Sequence, residues 1–247
     1  MFSFRFLRRR GRADSSSETT LAKLGRVLNR HEPGADVASL LQDVPPSWPP
    51  ERRQNHGPQA LAFPLAAAKK IAVLRPGFTL PETAKEFAAH DLAGIQAWEP
   101  DALVVPLNSA LLLADQKLRG KFELPSLSLA VTAITRIDDS PMAQHHRDLL
   151  WRAFEVPVFE QLLGWDGAVI ARECELHCGL HLADETVIAT IRDEELLLTH
   201  LNQVEEPIVL ARSGYGATLL PEACECGATS PRLCDLMPVR QRVRAME

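Results

Sequence analysis

Seven side chains with the chemistry of metal ligands fall in two groups within the last third of the chain. The groups are Cys174, His177, Cys178 and His181, then Cys224, Cys226 and Cys234. A structural zinc ion is bound tetrahedrally when two short, turn-containing segments each supply two thiolate or imidazole ligands. The pattern therefore predicts a closed structural zinc site, and bunched thiolates need such a cation to balance their charge. Spacing alone does not select four ligands from seven, and the alternative is a set of reduced thiols on β-strands.

The distribution of charge excludes several function classes. Among 247 residues, 27 are basic and 32 are acidic, which gives a net charge of −5 at pH 7. Residues 1–12 hold five arginines and no acid, so the remainder has 22 basic residues against 32 acidic ones. Because phosphate contacts need a basic surface, no nucleic-acid partner is expected. No apolar run is long enough for a membrane span. The cytoplasm is the expected location, since the sequence shows no secretory signal.

The composition divides the chain into three regions. We expect residues 1–43 to form a basic tail followed by short amphipathic helices, whose apolar residues repeat on one face. Residues 44–60 are expected to be a proline-rich linker or strap, because prolines at this density support neither a helix nor a central strand. Residues 61–247 are expected to form a single α/β domain.

Strand patterns alternate with helix patterns up to about residue 159. Strands are expected at Ile71–Leu74, Leu103–Val105, Leu127–Ile134 and Val156–Phe159. Helices are expected to begin at the capping box Thr79–Glu82, at Asn108 or Ser109, and at Ser140-Pro141. This alternation predicts a mostly parallel sheet with flanking helices.

Beyond Gly164 the pattern changes to short β-type runs separated by turns. The runs are Ala168–Ala171, Thr186–Ile191, Leu196–Thr199 and Pro207–Ala211. No helix of ordinary length fits between them, so the second half is predicted to be β-rich and antiparallel. The expected fold class is therefore α/β, with a parallel sheet first and a β-rich part after it.

Several short motifs occur in a fixed order between Trp98 and Leu233. They are Glu173-Cys174, Gly179-Leu180-His181, Glu195-Leu-Leu-Leu-Thr199, Pro207-Ile208, Ser213-Gly214 and Cys224-Glu-Cys226-Gly227. In this order and spacing, the stretch resembles the phenylacetate–CoA ligase branch of the adenylate-forming enzymes. The resemblance implies a fold like the second half of that family's large domain. It also implies a structural zinc ion with four protein ligands and three extra residues nearby. The implied ligands are Cys174, His181, Cys224 and Cys226, and the extra residues are His177, Cys178 and Cys234.

The chain departs from this family's pattern at the positions that handle ATP. It has no Ser/Thr/Gly-rich loop ending near a lysine, whose backbone N–H groups would cradle phosphates. Gly167 stands where the family has a glutamate that helps to hold magnesium, and the adjacent Asp166 is the acid that could replace it. Tyr215 stands where the family has an aspartate that binds the ribose hydroxyls, and a phenol cannot accept hydrogen bonds as a carboxylate does. We also expect no small C-terminal domain with a catalytic lysine.

These departures predict a degenerate relative that lacks self-sufficient acyl-adenylate formation and has no catalytic residues. Zinc is its expected cofactor, and ATP with magnesium is not. Its expected partner is an unidentified protein or an acyl- or CoA-like small molecule. The first alternative is an active acyl-CoA ligase that uses ATP, a carboxylic acid and CoA. It would be either completed by a separate chain or active through unusual residues. The second alternative is a zinc- or thiol-based regulator that shares only its architecture with the ligases.

Overall fold

The computed structural model describes residues 41–42, 44–49, 67–74, 80–183, 186–200 and 208–239. The predicted basic tail, the predicted helices before residue 41 and the proline-rich residues 50–60 lie outside the described residues. Within these ranges the chain forms three helices and twelve strands. The helices are α1 (Leu92–Trp98), α2 (Leu107–Leu118) and α3 (Gln144–Phe154). The strands are β1 (Ile71–Val73), β2 (Ala84–Glu86), β3 (Ala102–Pro106), β4 (Ala130–Arg136), β5 (Val158–Leu163), β6 (Val169–Glu173), β7 (Leu180–Leu182), β8 (Val187–Arg192), β9 (Glu195–His200), β10 (Ala211–Arg212), β11 (Tyr215–Leu220) and β12 (Arg232–Pro238).

Nine of these strands form one sheet, in the order β11-β12-β7-β6-β5-β4-β3-β1-β2. The strands from β5 to β2 are parallel to one another, whereas those from β5 to β11 pair antiparallel. The four strands predicted before residue 159 correspond to β1, β3, β4 and β5. The prediction of a mostly parallel sheet in the first half is therefore confirmed.

The three helices share a hydrophobic core with the parallel strands. Ile95, Leu113 and Leu150 of the helices are buried together with Leu103 and Val131 of the sheet. This packing explains why the apolar residues of the helices repeat on one face, since only that face leaves water. The helices and the parallel strands thus form the α/β layer that the alternation predicted.

The predicted starts of the helices are wrong in detail, because long-range contacts override local signals. No helix begins at residues 80–82, the described part of the predicted capping box Thr79–Glu82. These residues are followed by β2, which is parallel to β1. Helix α1 begins only at Leu92, where the carboxylate of Asp91 accepts a hydrogen bond from the N–H of Gly94 at 2.9 Å. Helix α2 begins at Leu107, and its N-cap residue is Pro106.

The expected start of α3 at Ser140-Pro141 also lies too early. The helix begins at Gln144, and Ala143 before it has extended backbone angles. The N–H of Met142 donates to Oε1 of Glu160 on β5 at 3.3 Å. This contact with the sheet holds the segment outside the helix, so the proline does not occupy the first turn.

The second half is antiparallel, as predicted. Strand β5 turns back directly into β6, and β7, β12 and β11 continue the large sheet. Strands β8, β9 and β10 form a separate three-stranded antiparallel sheet. The run predicted at 207–211 reaches a strand only at Ala211. A second core, which includes Leu162, Trp165 and Leu198, joins the two sheets.

Candidate metal centre

Strand pairing in the antiparallel half brings the two groups of predicted ligands together. Cys174 directly follows β6, and His181 is the central residue of β7, which pairs with β6. Cys224 and Cys226 lie in the loop between β11 and β12. Because β12 pairs with β7 so that Arg232 is opposite His181, this loop returns to the first group.

The loop that carries Cys224 and Cys226 is a tight turn. The N–H of Gly227 donates to the carbonyl of Cys224, and the N–H of Cys224 donates to the carbonyl of Ala228, both at 2.9 Å. Gly227 has a φ of 89°, in the left-handed region where a glycine is not penalised. The backbone at Gly227 is therefore tight, and it presents both thiols to the same side.

Four of the seven candidates form a compact cluster. The ligand atoms of Cys174, His181, Cys224 and Cys226 all lie within 4.8 Å of one another. The Sγ atoms of Cys174 and Cys224 are 4.0 Å apart, and Sγ of Cys226 is 3.6 Å from Nε2 of His181. Zinc bonds of about 2.0–2.3 Å place the ligand atoms of a tetrahedral ion roughly 3.5–3.8 Å apart. A small contraction of the cluster therefore fits one ion.

A neighbouring hydroxyl orients the imidazole of the cluster. Nδ1 of His181 lies 3.4 Å from Oγ of Ser230. When Nδ1 carries the proton and donates it to this hydroxyl, the lone pair of Nε2 faces the thiols. Histidine ligands of metals commonly have such a partner on the second nitrogen, so the donor set fits a divalent cation.

Two further cysteines adjoin the cluster. Sγ of Cys178 is 3.0 Å from Sγ of Cys224 and 3.7 Å from Sγ of Cys174. Cys234 donates its thiol proton to the backbone carbonyl of Cys178 at 3.6 Å. Cys178 is therefore a fourth sulfur, in contact with two of the four clustered residues, whereas Cys234 contacts the turn that carries Cys178.

Without a cation, the thiols of the cluster cannot all ionise together. Hydrogen bonds from Cys178 and from the N–H of Cys226 lower the pKa of Cys224 to about 6. Burial raises the pKa of Cys174 to about 12. The Cys224 thiolate is thus stable near neutral pH, whereas a divalent cation is needed to stabilise that of Cys174.

The last candidate, His177, is held away from the thiols by a buried carboxylate. The Glu173 side chain, which is 5% exposed, accepts hydrogen bonds from Nη1 of Arg147 at 3.1 Å and from the N–H of Glu160 at 2.9 Å. Its other oxygen lies 3.0 Å from Nδ1 of His177, whose ring stacks on Phe159. This network has no signature in the sequence, because Arg147 lies on a helix and no spacing rule relates it to Glu173.

Glu160, next to this network, has an unusual protonation equilibrium. Burial raises the pKa of Glu160 to about 7. Hydrogen bonds from the hydroxyl of Thr135 at 2.7 Å and from the N–H of Met142 at 3.3 Å oppose that rise only in part. The carboxyl group therefore stays protonated at pH values where an exposed glutamate is ionised.

The turn between β5 and β6 contains the residues that resemble a magnesium motif. The N–H of Gly167 donates to the carbonyl of Gly164 at 3.0 Å, and Gly167 has a φ of 81°. Asp166 is buried: its Oδ1 accepts from the N–H of Ala168 at 3.0 Å, and its Oδ2 lies 3.3 Å from Nδ1 of buried His200. Asp166 thus faces the core, and His200 was not identified from the sequence.

Tyr215 lies near a small cavity at the carboxyl ends of β3 and β4. The cavity has a volume of about 220 Å³, and open α/β sheets bind ligands at this edge. The phenol of Tyr215 donates a hydrogen bond to the backbone carbonyl of Asp139, which lines the cavity. Burial raises the pKa of Tyr215, as do the nearby charges of Asp139 and Asp138, so the phenol stays neutral.

A second cavity borders the thiol cluster. It has a volume of about 430 Å³, and Cys174, His181 and Cys226 form part of its wall together with Arg172 and Ser230. Three of the four clustered ligands are therefore accessible from this cavity. An ion has a route to the cluster without any unfolding of the sheet.

No helix among the described residues is long and apolar enough to cross a membrane. No protein-family model matches the chain, and no curated protein matches its sequence.

Three crystal structures of 2-hydroxyisobutyryl-CoA ligase resemble this protein. An open conformation with 2-HIB-AMP and CoA is 15% identical over 68% of this chain and 48% of the ligase chain, with a TM-score of 0.56. The postadenylation state with 2-HIB-AMP is 16% identical over 69% and 43%, with a TM-score of 0.56. The thioesterification state is 14% identical over 86% and 46%, with a TM-score of 0.54.

These likenesses show the fold. This α/β fold corresponds to part of the fold of adenylate-forming CoA ligases, as the sequence predicted. The chain spans less than half the length of these ligases. The likeness is one of fold, and it does not single out the phenylacetate–CoA ligase branch.

Proposed function

We propose that this protein is a zinc-stabilised, non-catalytic relative of the adenylate-forming ligases that binds an acyl- or CoA-like small molecule or a partner protein. The observation that carries the proposal is the burial of Asp166 in the turn between β5 and β6. The only acid of this turn, Asp166, is buried against His200 and the N–H of Ala168. A magnesium ion bound to ATP needs an accessible carboxylate oxygen, and this turn presents none.

The backbone of the same turn is also unfavourable for a glutamate at position 167. The resemblance to the phenylacetate–CoA ligases assigns the magnesium glutamate to position 167, where the φ of 81° favours glycine. A glutamate there would adopt a left-handed conformation that costs about 1 kcal/mol or more. Self-sufficient adenylation would therefore need a different magnesium ligand.

The neutral phenol of Tyr215 supports the same conclusion for the ribose. At this position the resemblance assigns an aspartate that accepts two hydrogen bonds from ribose hydroxyls. The Tyr215 hydroxyl is already used as a donor to the carbonyl of Asp139. It offers neither the charge nor the two acceptor oxygens of a carboxylate.

Zinc at the Cys174, His181, Cys224 and Cys226 cluster would stabilise the fold. Three sulfurs and one imidazole nitrogen form a common set of structural zinc ligands, and four protein ligands leave no coordination position for water. The ion would join the ends of β6 and β7 to the loop between β11 and β12. The ion would thus hold in place an exposed loop that has little apolar packing of its own.

The cavity at the carboxyl ends of β3 and β4 supports binding of a small molecule. Its volume of about 220 Å³ is below the roughly 300–1,000 Å³ of pockets that enclose drug-sized ligands. A short acyl group fits this volume, whereas a whole acyl-adenylate does not. Ser140→Trp, at the exposed wall of the cavity, should abolish binding of short-chain acids and acyl-CoA in calorimetric titrations.

Native mass spectrometry of the full chain, with and without magnesium-ATP, tests the proposal. We expect one zinc ion per chain and no nucleotide adduct. With ATP, CoA and a panel of carboxylic acids, we expect no AMP. Formation of AMP by the purified chain would overturn the non-catalytic assignment, whereas absence of a bound metal would overturn only the zinc assignment.

A matched pair of variants tests the metal ligands. Cys224→Ser combined with Cys226→Ser should lose the ion and lower Tm by at least about 10 °C, because metal-binding free energy is folding free energy. Cys234→Ser is the control, since Cys234 contacts the turn but lies outside the four-residue cluster. Equal melting temperatures for the double variant and the control would refute a structural zinc ion.

The position of Cys178 favours a thiol-based regulator as a second candidate. Its Sγ is 3.0 Å from that of Cys224. Hydrogen peroxide can take two electrons and two protons from these thiols, which forms one disulfide and two water molecules. Cys224 would then no longer be a thiolate ligand, and the affinity for zinc would fall. We expect peroxide to release zinc from the wild type but not from Cys178→Ser. Equal release from both would exclude this candidate.

A further inference from the structure

Residues 44–49 are the described part of the predicted proline-rich segment and are called the strap below. They lie anchored against the three-stranded sheet of β8, β9 and β10, called the small sheet. The N–H of Ser47 donates to the carbonyl of Leu210 at 3.0 Å, and the N–H of Arg212 donates to the carbonyl of Ser47 at 3.0 Å. Oγ of Ser47 also donates to the carbonyl of Val209 at 2.7 Å. These bonds form a parallel bridge to Ala211, so the middle of the strap has a fixed position.

The start of the strap is anchored as well. Leu41 and Val44 are buried in a cluster with Leu197 of β9 and with Val209 and Leu210. The guanidinium of Arg192 donates to the backbone carbonyls of residues 41, 42 and 44. The strap is thus ordered by charge-assisted hydrogen bonds and apolar burial before any partner is present.

Residues three apart share one edge of a polyproline II helix, the conformation that a run of prolines favours. Val44 and Ser47 are three residues apart, and both contact the small sheet: Val44 through its buried side chain, and Ser47, whose side chain is exposed, through hydrogen bonds. Pro45 and Trp48 form a second edge, and both are exposed. Pro46 and Pro49 form the third edge, on which Pro46 is half-buried and Pro49 is exposed. Val44 and Ser47 anchor the strap, and the side chains of Pro45, Trp48 and Pro49 remain accessible.

Trp48 is the most unusual residue of the strap. Its side chain is 86% exposed, more than any other large apolar side chain in the described part of the chain. A tryptophan side chain exposes a large apolar area to water, which is unfavourable. Tryptophans also contribute much of the binding energy in many protein interfaces. Nothing in the anchoring of the strap requires a tryptophan at this position.

We infer that the strap is a docking segment for a partner protein with an aromatic-lined groove that binds polyproline II. Pro46-Ser47-Trp48-Pro49 has the P-x-x-P spacing that such grooves recognise. Because the strap is already ordered, binding does not have to supply the entropy of ordering it. The inference names a partner class for the protein-binding role proposed above. It rests on the strap, and not on the metal cluster or on either cavity.

A binding assay with isolated domains tests this inference. The full chain is titrated against a panel of purified SH3, WW and EVH1 domains, and Kd is measured by calorimetry. We expect saturable binding to at least one domain, with Kd raised at least about tenfold in Trp48→Ala and in Pro49→Ala. Trp151→Ala is the matched control, since Trp151 is 55% exposed but lies on α3. It should bind as the wild type does.

Three outcomes would overturn the inference. The first is that no domain of the panel binds. The second is that Trp151→Ala raises Kd as much as Trp48→Ala does. The third is that Trp48→Ala leaves Kd unchanged. Because Trp48 is exposed, Trp48→Ala should melt at the wild-type temperature, so loss of folding does not confuse the test. Sedimentation equilibrium adds a separate outcome: a dimer that Trp48→Ala dissociates would assign the strap to a second copy of this chain. Failure of the panel would leave the zinc and adenylation assays unaffected.

Discussion

Replacement of Glu160 by glutamine should make the protein more stable at neutral and alkaline pH. The Glu160 side chain lies within the sheet, where it accepts hydrogen bonds from the hydroxyl of Thr135 and the N–H of Met142. Glutamine has nearly the same shape and can accept both bonds through its amide oxygen. The variant therefore removes the ionisable group while it keeps the local packing.

The magnitude follows from the two pKa values of this carboxyl group. Its pKa is about 7 in the folded protein and 4.5 when unfolded. Below pH 4.5 the group is protonated in both states, so its ionisation does not affect stability. Between pH 4.5 and about 7 only the unfolded state ionises, so the free energy of unfolding falls as the pH rises. The full loss, reached above about pH 7, is about 3 kcal/mol.

Urea unfolding of wild type and Glu160→Gln at several pH values between 4.5 and 8 measures this loss. Subtraction of the two free energies of unfolding cancels the titration of all other groups. This difference should grow with pH in favour of Glu160→Gln and level off above pH 7. Glu82→Gln is the control, since Glu82 is exposed, and it should follow the wild type. Parallel stability curves for wild type and Glu160→Gln would refute the raised pKa.

Three further predictions concern other parts of the structure. Gly164→Ala should cost roughly 1–3 kcal/mol, because its Cβ would lie 2.5 Å from Cε1 of buried His200. The double variant with His200→Ala should recover part of that cost, and strict additivity in urea unfolding would contradict the clash. Arg192→Ala should lower hydrogen-exchange protection of the N–H groups of Ser47 and Arg212 by at least about tenfold, since the strap loses its charged donor. Exposed Arg152→Ala should not change this protection, and unchanged protection in Arg192→Ala would show that apolar burial alone anchors the strap. Removal of metal by a chelator should lower Tm, and zinc but not magnesium should restore it, because thiolate ligands prefer zinc. Recovery with magnesium would contradict a thiolate site.

The local sequence pattern was sufficient to identify the strands of the parallel sheet. Apolar runs such as Leu103–Val105 are short, β-branched and flanked by turn residues, and they became fully buried strands. Their type depends on which residues leave water, and that property is encoded within each segment. The change to an antiparallel second half was visible for the same reason, since no segment there is long enough for a helix.

The starts of the helices were not determined locally. The capping signal at Thr79–Glu82 is genuine as a pattern, but the following residues Ala84–Glu86 gain more from pairing with β1. In the same way, the Glu160 carboxylate holds Met142 outside α3 from a position 18 residues away. Interactions between distant segments decide such boundaries, and a window of neighbouring residues does not contain them.

The candidate site shows the same division. The types of its residues, three thiols and an imidazole near tight turns, pointed to metal chemistry from the sequence alone. Which four of the seven come together depends on the pairing of β7 with β12, which places the Cys224–Cys226 loop over His181. The same tertiary arrangement turns His177 towards Glu173 and buries Asp166 against His200. Composition thus defines the available chemistry. The selection of partners requires the folded sheet, because the distances between side chains far apart in sequence exist only there.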